Sequence, residues 1–205
     1  LFSLSAYSKR HPFRKGDDAK MALVRADLLS YADLQRMPED GRQYELYDGE
    51  VRVVPSPTNR HQLVLRNLVV LFLEYERQHG GRLLFAPSDV VFSQYNVIQP
   101  DLLYFSKSRQ HLVQLDAPTQ AAPDLTVEVL SPGTSAHDRG RKQALCARFD
   151  VREYWIVDPS DETVEIYVLE SGVYRLATAA GAAGVAVSPT LAGLHAVASR
   201  IFELD

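Results

Sequence analysis

The sequence predicts an α/β or α+β domain built around a mixed β-sheet, and two observations support this prediction. The predicted elements run in the order helix, two strands, helix, several strands, helix, three strands. Such interleaving is typical of a sheet flanked by helices, because each element must bury an apolar face against another. In addition, 46% of the 205 residues are hydrophobic, which excludes a chain that is disordered throughout.

Helices are predicted from capping residues and from apolar residues at helical spacing. Ser30 with Asp33, and Ser135 with Asp138, are three residues apart and resemble N-terminal capping pairs. The predicted bounds are about 30–37, 56–79, 136–149 and 196–202. The second helix begins at Ser56-Pro57 and ends at Gly80-Gly81. Its apolar stripe consists of Val64, Leu65, Leu68, Phe72 and Tyr75.

Strands are predicted where short apolar runs lie between turn residues. Asp48-Gly49 and Ser171-Gly172 are hairpin turn signals. The run 125–130 is apolar enough to predict a strand that is covered on both faces. The other predicted strands lie near 44–47, 51–54, 82–85, 89–92, 101–105, 153–157, 164–169 and 173–178.

The charge is unevenly distributed along the chain. The formal net charge is −4, and residues 1–20 carry five basic and two acidic side chains, which leaves 17 basic and 24 acidic over 21–205. An acidic protein is a poor candidate for non-specific nucleic-acid binding through charge alone. We interpret residues 1–20 as an N-terminal extension, native or left over from expression, and 21–205 as one domain.

Cysteine content and hydropathy limit the class of protein. The single cysteine, Cys146, excludes an internal disulfide and a cysteine-based zinc site, so the cytoplasm is the predicted compartment. No uncharged apolar run approaches the roughly 18 residues of a membrane-spanning helix, and no membrane partner is expected.

Two acids stand out by their place on predicted strands. Glu128 interrupts a strand that is otherwise apolar, and a buried carboxylate is costly unless it is paired, protonated or bound to a metal. A structural ion pair and a functional site explain it equally well. Asp101 follows Pro100 at the start of a predicted strand, where a plain turn residue is the alternative to a functional acid.

Three further side chains lie near the same predicted core. Lys142 shares a helix face with apolar residues and so points toward the core, as a partner of Glu128 or as a lysine beside a metal. His61 lies on the apolar face of its helix, where a satisfied core histidine is the commoner case. Glu45 and Glu50 belong to the first hairpin and could be surface acids.

As a set, these residues suit one kind of chemistry. Two carboxylates on adjacent strands suit a hard cation such as Mg²⁺ or Mn²⁺, and a nearby lysine can orient water or stabilise the charge that develops on phosphorus. This combination indicates phosphodiester hydrolysis. The chain has no Walker-type glycine loop, no His-Glu-x-x-His and no Gly-x-Ser-x-Gly, so other common hydrolase classes lack a motif.

An ordered set of short motifs resembles the Uma-type family of putative restriction endonucleases, a bacterial family within the PD-(D/E)XK nuclease superfamily. The resemblance covers roughly residues 24–204. In chain order the motifs are Tyr44-Glu-Leu-Tyr-Asp-Gly-Glu50, Ser56-Pro57 with His61, Gln99-Pro-Asp101, Val127-Glu-Val-Leu-Ser-Pro132, Asp138-Arg-Gly-Arg-Lys142 and Val151-Arg-Glu-Tyr-Trp-Ile-Val-Asp-Pro159.

The resemblance implies a restriction-endonuclease-like fold, a mixed central sheet flanked by helices, with a Mg²⁺-dependent site. Asp101 matches the first acid of the superfamily motif and Glu128 the second. The residue two places after Glu128 is Leu130 instead of the superfamily's lysine, and Lys142 resembles the displaced lysine of some branches. Glu45 and His61 match upstream positions that join the metal site in related nucleases.

The leading hypothesis is therefore a nuclease of DNA in which Asp101, Glu128 and the carbonyl of Val129 bind Mg²⁺ or Mn²⁺ and Lys142 positions the attacking water. The alternatives are a catalytically inactive module that binds nucleic acid or protein, and a nuclease of RNA. Arg141 and Arg148 lie on one helical face and could contact phosphates, although a solvated surface is the simpler interpretation. A homodimer, another partner or residues 1–20 could supply the missing positive surface.

Overall fold

The computed structural model describes residues 28–38 and 40–204. The predicted extension, residues 1–20, lies outside this part, and the assignment of 21–205 to one domain stays a prediction. The described part contains a six-stranded mixed sheet with helices on both faces and a four-stranded antiparallel sheet beside it. The predicted class, α/β or α+β with a mixed sheet and flanking helices, is confirmed.

The elements of the described part follow in chain order. The helices are α1 (Tyr31–Leu34), α2 (Asn59–His79), α3 (Ser135–His137), α4 (Gln143–Arg148) and α5 (Ala198–Ile201). A π-helical turn (Asp138–Lys142) joins α3 to α4, and a 3₁₀ turn covers Gln110–Leu112. The strands are β1 (Gln43–Tyr47), β2 (Glu50–Val54), β3 (Arg82–Phe85), β4 (Val90–Ser93), β5 (Asn96–Ile98), β6 (Leu102–Phe105), β7 (Leu125–Val129), β8 (Glu153–Asp158), β9 (Thr163–Glu170), β10 (Val173–Ala180), β11 (Val185–Val187) and β12 (His195–Val197).

The strand order explains how distant parts of the chain meet. The small sheet has the order β2-β1-β5-β4 and the large sheet the order β10-β9-β8-β7-β6-β3, with β11 and β12 forming a separate pair. Strands β7 and β8 run parallel, whereas the other paired neighbours of the large sheet are antiparallel. A parallel pair needs a crossover, and α3, the π-helical turn and α4 supply it.

Alternate residues of the central strands pack on opposite faces of the large sheet. In β8, Trp155 and Val157 join the cluster formed with α2, whereas Tyr154 and Ile156 join the cluster formed with Leu145 of α4. All five residues of β7 are buried, as expected for a strand that is covered on both faces. Because side chains alternate along a strand, Glu128 lies on the α4 face of the sheet.

Predictions from short sequence signals were correct where the stabilising contact joins residues that are close together in the chain. Ser30 and Asp33 form the predicted capping box, and the first hairpin turns at Asp48 and Gly49, both with positive φ (50° and 84°). The long helix begins later than predicted, since Thr58 is its N-cap and its hydroxyl accepts a hydrogen bond from the His61 backbone N–H.

Other expectations were wrong or incomplete. Asp138 does not cap the third helix, because its N-cap is Thr134 and no side chain bonds there. The three-residue strands β5, β11 and β12 were not predicted, since so few residues carry no readable period. Within residues 28–38 and 40–204, no helix is long and apolar enough to cross a membrane.

Candidate functional site

A polar cavity lies where the small sheet, the N-terminal end of α2, the crossover and the ends of β6 and β7 meet. It has a volume of about 140 Å³, and since one water needs about 10–15 Å³ of such space, it has room for several waters. All six residues named in the sequence as metal-site or catalytic candidates line it: Glu45, His61, Asp101, Glu128, Val129 and Lys142. Residues spread over almost a hundred positions of the chain therefore share one space.

The two acids of the predicted motif come from adjacent strands. Asp101 immediately precedes β6, and Glu128 belongs to β7, with Leu102 of β6 opposite Val127 of β7. This antiparallel register brings the two acids opposite each other at the strand ends. The Asp101 carboxylate keeps some contact with solvent, with 18% of its side chain exposed, whereas Glu128 is almost fully buried.

Lys142 reaches the acids from the crossover, as the displaced lysine should. Its Nζ donates to Oε2 of Glu128 at 2.8 Å and to the carbonyl of Gln99 at 3.1 Å, and it forms a salt bridge with Oε1 of Glu45 at 3.0 Å. The ammonium therefore has three oxygen neighbours, two of them as hydrogen-bond acceptors. Its position on a π-helical turn is notable because such turns occur often at functional sites.

Glu45 is a buried member of the site, and the surface-acid alternative does not hold for it. It is 2% exposed, and besides Lys142 its Oε1 accepts the Gln99 backbone N–H at 2.9 Å. Its Oε2 accepts the hydroxyl of Tyr47 at 2.8 Å. Glu50, the other acid of the hairpin, is mostly exposed and pairs with Arg141 at 2.7 Å.

His61 contacts an acid instead of only filling the core. Its Nε2 lies 3.1 Å from Oδ2 of Asp101, and the Val129 backbone N–H donates to the same oxygen at 2.7 Å. These two contacts fix the orientation of the Asp101 carboxylate. The other oxygen of Asp101, Oδ1, has no hydrogen-bond partner among residues 28–38 and 40–204.

The cavity is short of positive charge. The acids of its described lining are Glu45, Asp101, Glu128 and Asp138, whereas the permanent cations there are Arg52 and Lys142. Burial raises the pKa of Glu128 well above its ordinary value, and Lys142 opposes this only in part. Burial alone would lower the pKa of Lys142, but the carboxylates of Glu128 and Glu45 outweigh it, and this pKa lies well above its ordinary value. The raised pKa values of Glu128 and of Lys142 both mean that the cavity favours the uptake of positive charge.

The donor groups fit a divalent cation that prefers oxygen. Oε1 of Glu128 is buried and has no hydrogen-bond partner in the described part of the chain, which is costly unless something binds it. Together with the open oxygen of Asp101, it offers two carboxylate ligands. No group of three or more His, Cys, Asp or Glu side chains is arranged as a metal site within the described ranges. Mg²⁺ does not need one, because it is often bound by one or two carboxylates and keeps several waters.

Asp138 and His137 line the cavity but were not among the site residues inferred from the sequence, where Asp138 served as a capping partner and as part of a family motif. Asp138 is 5% exposed, and burial raises its pKa although Lys142 opposes the rise. Its spacing of four residues from Lys142 on one helical face is the signal that could have identified it. His137 has a pKa lowered to about 4, by burial and then by the charge of Arg52, so it is neutral at neutral pH.

Arg141 and Arg148 connect the crossover to the first hairpin, and both remain about half-exposed to solvent, as the solvated-surface interpretation expects. Arg141 donates to the carbonyl of Tyr47 at 2.9 Å in addition to its pair with Glu50. Arg148 makes two contacts with the carboxylate of Asp48, at 2.6 Å and 3.2 Å. These interactions fasten the hairpin that carries Glu45 to the crossover that carries Lys142.

The chain is similar in sequence or fold to proteins that are described as putative nucleases. The model of the Uma2 family, described as "Putative restriction endonuclease", matches residues 31–199. An uncharacterized protein of Synechocystis sp. is 27% identical over 168 residues, which cover 79% of this chain and 78% of that protein. The crystal structure of a putative nuclease belonging to DUF820 from Anabaena variabilis has a TM-score of 0.70 at 20% identity, over 85% of this chain and 97% of that one. This likeness confirms the expected fold.

Proposed function

The chain belongs to the Uma2 family of putative restriction endonucleases, and from that premise we propose that it is a metal-dependent endonuclease that hydrolyses phosphodiester bonds in DNA. The observation that supports the proposal is the arrangement of Asp101, Glu128 and Lys142 around one cavity, where Oε1 of Glu128 has no partner among the described residues. Buried acids with perturbed pKa values in a cleft are typical of catalytic sites.

The carboxylates of Asp101 and Glu128 and the carbonyl of Val129 would hold the Mg²⁺ or Mn²⁺. When bound, the metal polarises a phosphoryl oxygen and lowers the pKa of a water ligand. His61 and the Val129 N–H hold Oδ2 of Asp101, which leaves Oδ1 for the cation. Glu45 forms a salt bridge with the same ammonium as Glu128 and so helps to hold Lys142 in place.

Lys142 has a second role toward the substrate. Its ammonium carries a permanent charge in a site largely closed to water, where a charge acts more strongly than in bulk solvent. Placed beside the acids, it stabilises the negative charge that develops on the phosphoryl oxygens and orients the attacking water.

The proposal predicts cleavage of DNA that requires a divalent cation. The wild-type chain should nick or linearise a supercoiled plasmid in Mg²⁺ or Mn²⁺ and should lose this activity in a chelator. Asp101→Asn should lower the rate by about 100-fold or more, the size of effect seen when one charge-stabilising group is removed. Asp161→Asn, at an exposed turn, is the matched control and should cut at the wild-type rate.

Parallel reactions with single-stranded RNA separate the two nucleic-acid substrates. Cleavage of RNA without cleavage of DNA would replace DNA as the substrate in the proposal. Metal-dependent cutting of plasmid by Asp101→Asn at the wild-type rate would contradict the assignment of the site.

Metal binding in the absence of nucleic acid distinguishes the nuclease from a catalytically inactive binding module. Calorimetric titration should show Mg²⁺ and Mn²⁺ binding to the wild-type chain, since the cavity lacks positive charge. A bound cation should also raise the melting temperature, because it binds the folded state alone. If millimolar Mg²⁺ neither binds nor stabilises the protein, with or without DNA, the binding module is favoured over the enzyme.

Because the chain carries a net negative charge, DNA binding requires an additional source of positive surface. A net charge of −4 predicts weak and strongly salt-dependent DNA affinity for a single copy. A bound divalent cation offsets two charges at the site. A homodimer or residues 1–20 remain the proposed sources of additional positive surface.

A further inference from the structure

Arg52 lines the cavity from the first hairpin, on the same face of the small sheet as Glu45. It lies on β2 directly opposite Glu45 of β1 in the antiparallel register. Side chains opposite each other in such a pair project from the same face and lie close together. Arg52 is accordingly half-buried and belongs to the lining of the site.

The carboxylate nearest in register is not available to Arg52. Oε1 of Glu45 forms a salt bridge with Lys142 and accepts the Gln99 N–H, and Oε2 accepts from Tyr47. Within residues 28–38 and 40–204, Arg52 makes neither a salt bridge nor a side-chain hydrogen bond. It therefore contributes a guanidinium with open donors to a cavity in which the other permanent cation of the described lining, Lys142, is already paired with Glu45 and Glu128.

The two arginines of the crossover differ from Arg52 in this respect. Arg141 is bonded to Glu50 and Arg148 to Asp48, both of which are acids of the same hairpin. The positive charge of Arg52 also reaches His137 across the cavity, where it is the largest electrostatic influence after burial. Because His137 is neutral, it offers Arg52 no charge partner. A half-buried guanidinium without an anion fits a site that receives one from outside.

We propose that Arg52 forms a phosphate-binding subsite beside the metal site, which takes a backbone phosphate of the nucleic-acid strand that is cut. This inference rests on the proposed function. The planar fork of a guanidinium matches two oxygens of a phosphodiester, and such contacts position a strand without reading its sequence. Arg52 is thus a substrate-positioning residue, and the four acids of the cavity are kept for the cation and for Lys142.

Binding measurements on Arg52→Gln test the subsite. Fluorescence anisotropy with a short labelled DNA duplex, in Ca²⁺ and over a range of salt concentrations, should show about tenfold weaker binding and a salt slope reduced by about one. Arg52→Lys keeps the charge but not the planar fork, so its DNA affinity should lie between those of the wild type and Arg52→Gln. Arg175→Gln removes an equal charge from exposed β10 and should bind like the wild type. Thermal unfolding should show all three variants folded, since Arg52 has no bonded partner in the described part.

The outcomes separate this inference from the proposed function. If the wild type cuts DNA while Arg52→Gln binds and cuts like Arg175→Gln, the subsite is wrong and the nuclease assignment stands. If no protein cuts nucleic acid but Arg52→Gln alone loses DNA binding, the subsite stands and hydrolysis is wrong. A wild-type chain that binds no nucleic acid in any metal contradicts both.

Discussion

Lys142→Met is expected to lower the free energy of unfolding by about 3–5 kcal/mol, the usual cost of removing one partner of a buried ion pair. The variant leaves the carboxylates of Glu45 and Glu128 buried without their shared ammonium. Chemical denaturation at neutral pH measures the loss. It should be among the largest for any single charged residue of the chain, because few charges are as deeply buried.

The effect should depend on pH with a definite sign. Burial already raises the pKa of Glu128, and Lys142→Met removes the largest charge that opposes this rise. The folded variant then binds more protons than its unfolded state, so its stability rises as the pH falls. The difference from the wild type should therefore shrink on moving from neutral to mildly acidic solution.

Two further variants make this prediction specific to the buried charge. Arg141→Met breaks a half-exposed pair one residue away and should cost about 1 kcal/mol or less. The double variant Glu128→Gln with Lys142→Met removes one stranded carboxylate and should recover part of the loss. A Lys142→Met protein as stable as the wild type at neutral pH would contradict the charge balance inferred for the cavity.

Glu128→Gln should abolish metal-dependent cleavage while the fold persists. The amide has nearly the shape of the carboxylate, and Lys142 keeps its contacts with Glu45 and the Gln99 carbonyl. The charge that attracts the cation to Oε1 is lost, however, and we expect a fall in cleavage rate of about 1000-fold. Single-turnover assays in Mg²⁺ measure the rate, and calorimetry measures the accompanying loss of Mg²⁺ affinity.

This variant also separates a catalytic acid from a structural ion pair, the alternative that the sequence left open. A purely structural pair would change the stability and leave the rate of the folded fraction unaltered. Glu50→Gln, which removes an exposed acid from the adjacent hairpin, is the control and should cut normally. Cleavage by Glu128→Gln at the wild-type rate would eliminate Glu128 as a metal ligand.

Much of the fold could be predicted because its signals are local. The capping box of Ser30 and Asp33, the turn at Asp48-Gly49 and the apolar stripe of α2 each involve residues a few positions apart. The strand β7 was predictable for a similar reason, since a continuous apolar run indicates burial on both faces. By contrast, β5 has only three residues and, besides pairing with its neighbour β4, it pairs with β1, about fifty residues earlier in the chain.

The site was predictable in its residues but not in their relations. Asp101, Glu128 and Lys142 were identified with the help of a family pattern, and His61 and Glu45 were carried over from it. The spacing of Asp138 from Lys142 was overlooked as a sign that Asp138 faces the cavity, and no sequence signal indicated that Arg52 has no bonded partner in the described part of the chain. The pairing of Arg52 depends on which partners other chain segments bring, as when Tyr47 and Gln99 occupy the oxygens of Glu45.

The sequence alone determined the class of fold, the strands and helices that carry the acids, and the kind of chemistry that such residues can perform. These follow from spacing and residue type, which act over a turn of helix or a pair of strand residues. The tertiary structure decided which acids are buried and that one ammonium serves two carboxylates. It also decided that, among the residues that the structure describes, an oxygen of Glu128 and the guanidinium of Arg52 have no bonded partner. Burial and charge pairing arise only when distant segments meet, because desolvation and Coulomb interactions depend on distance in space and not along the chain.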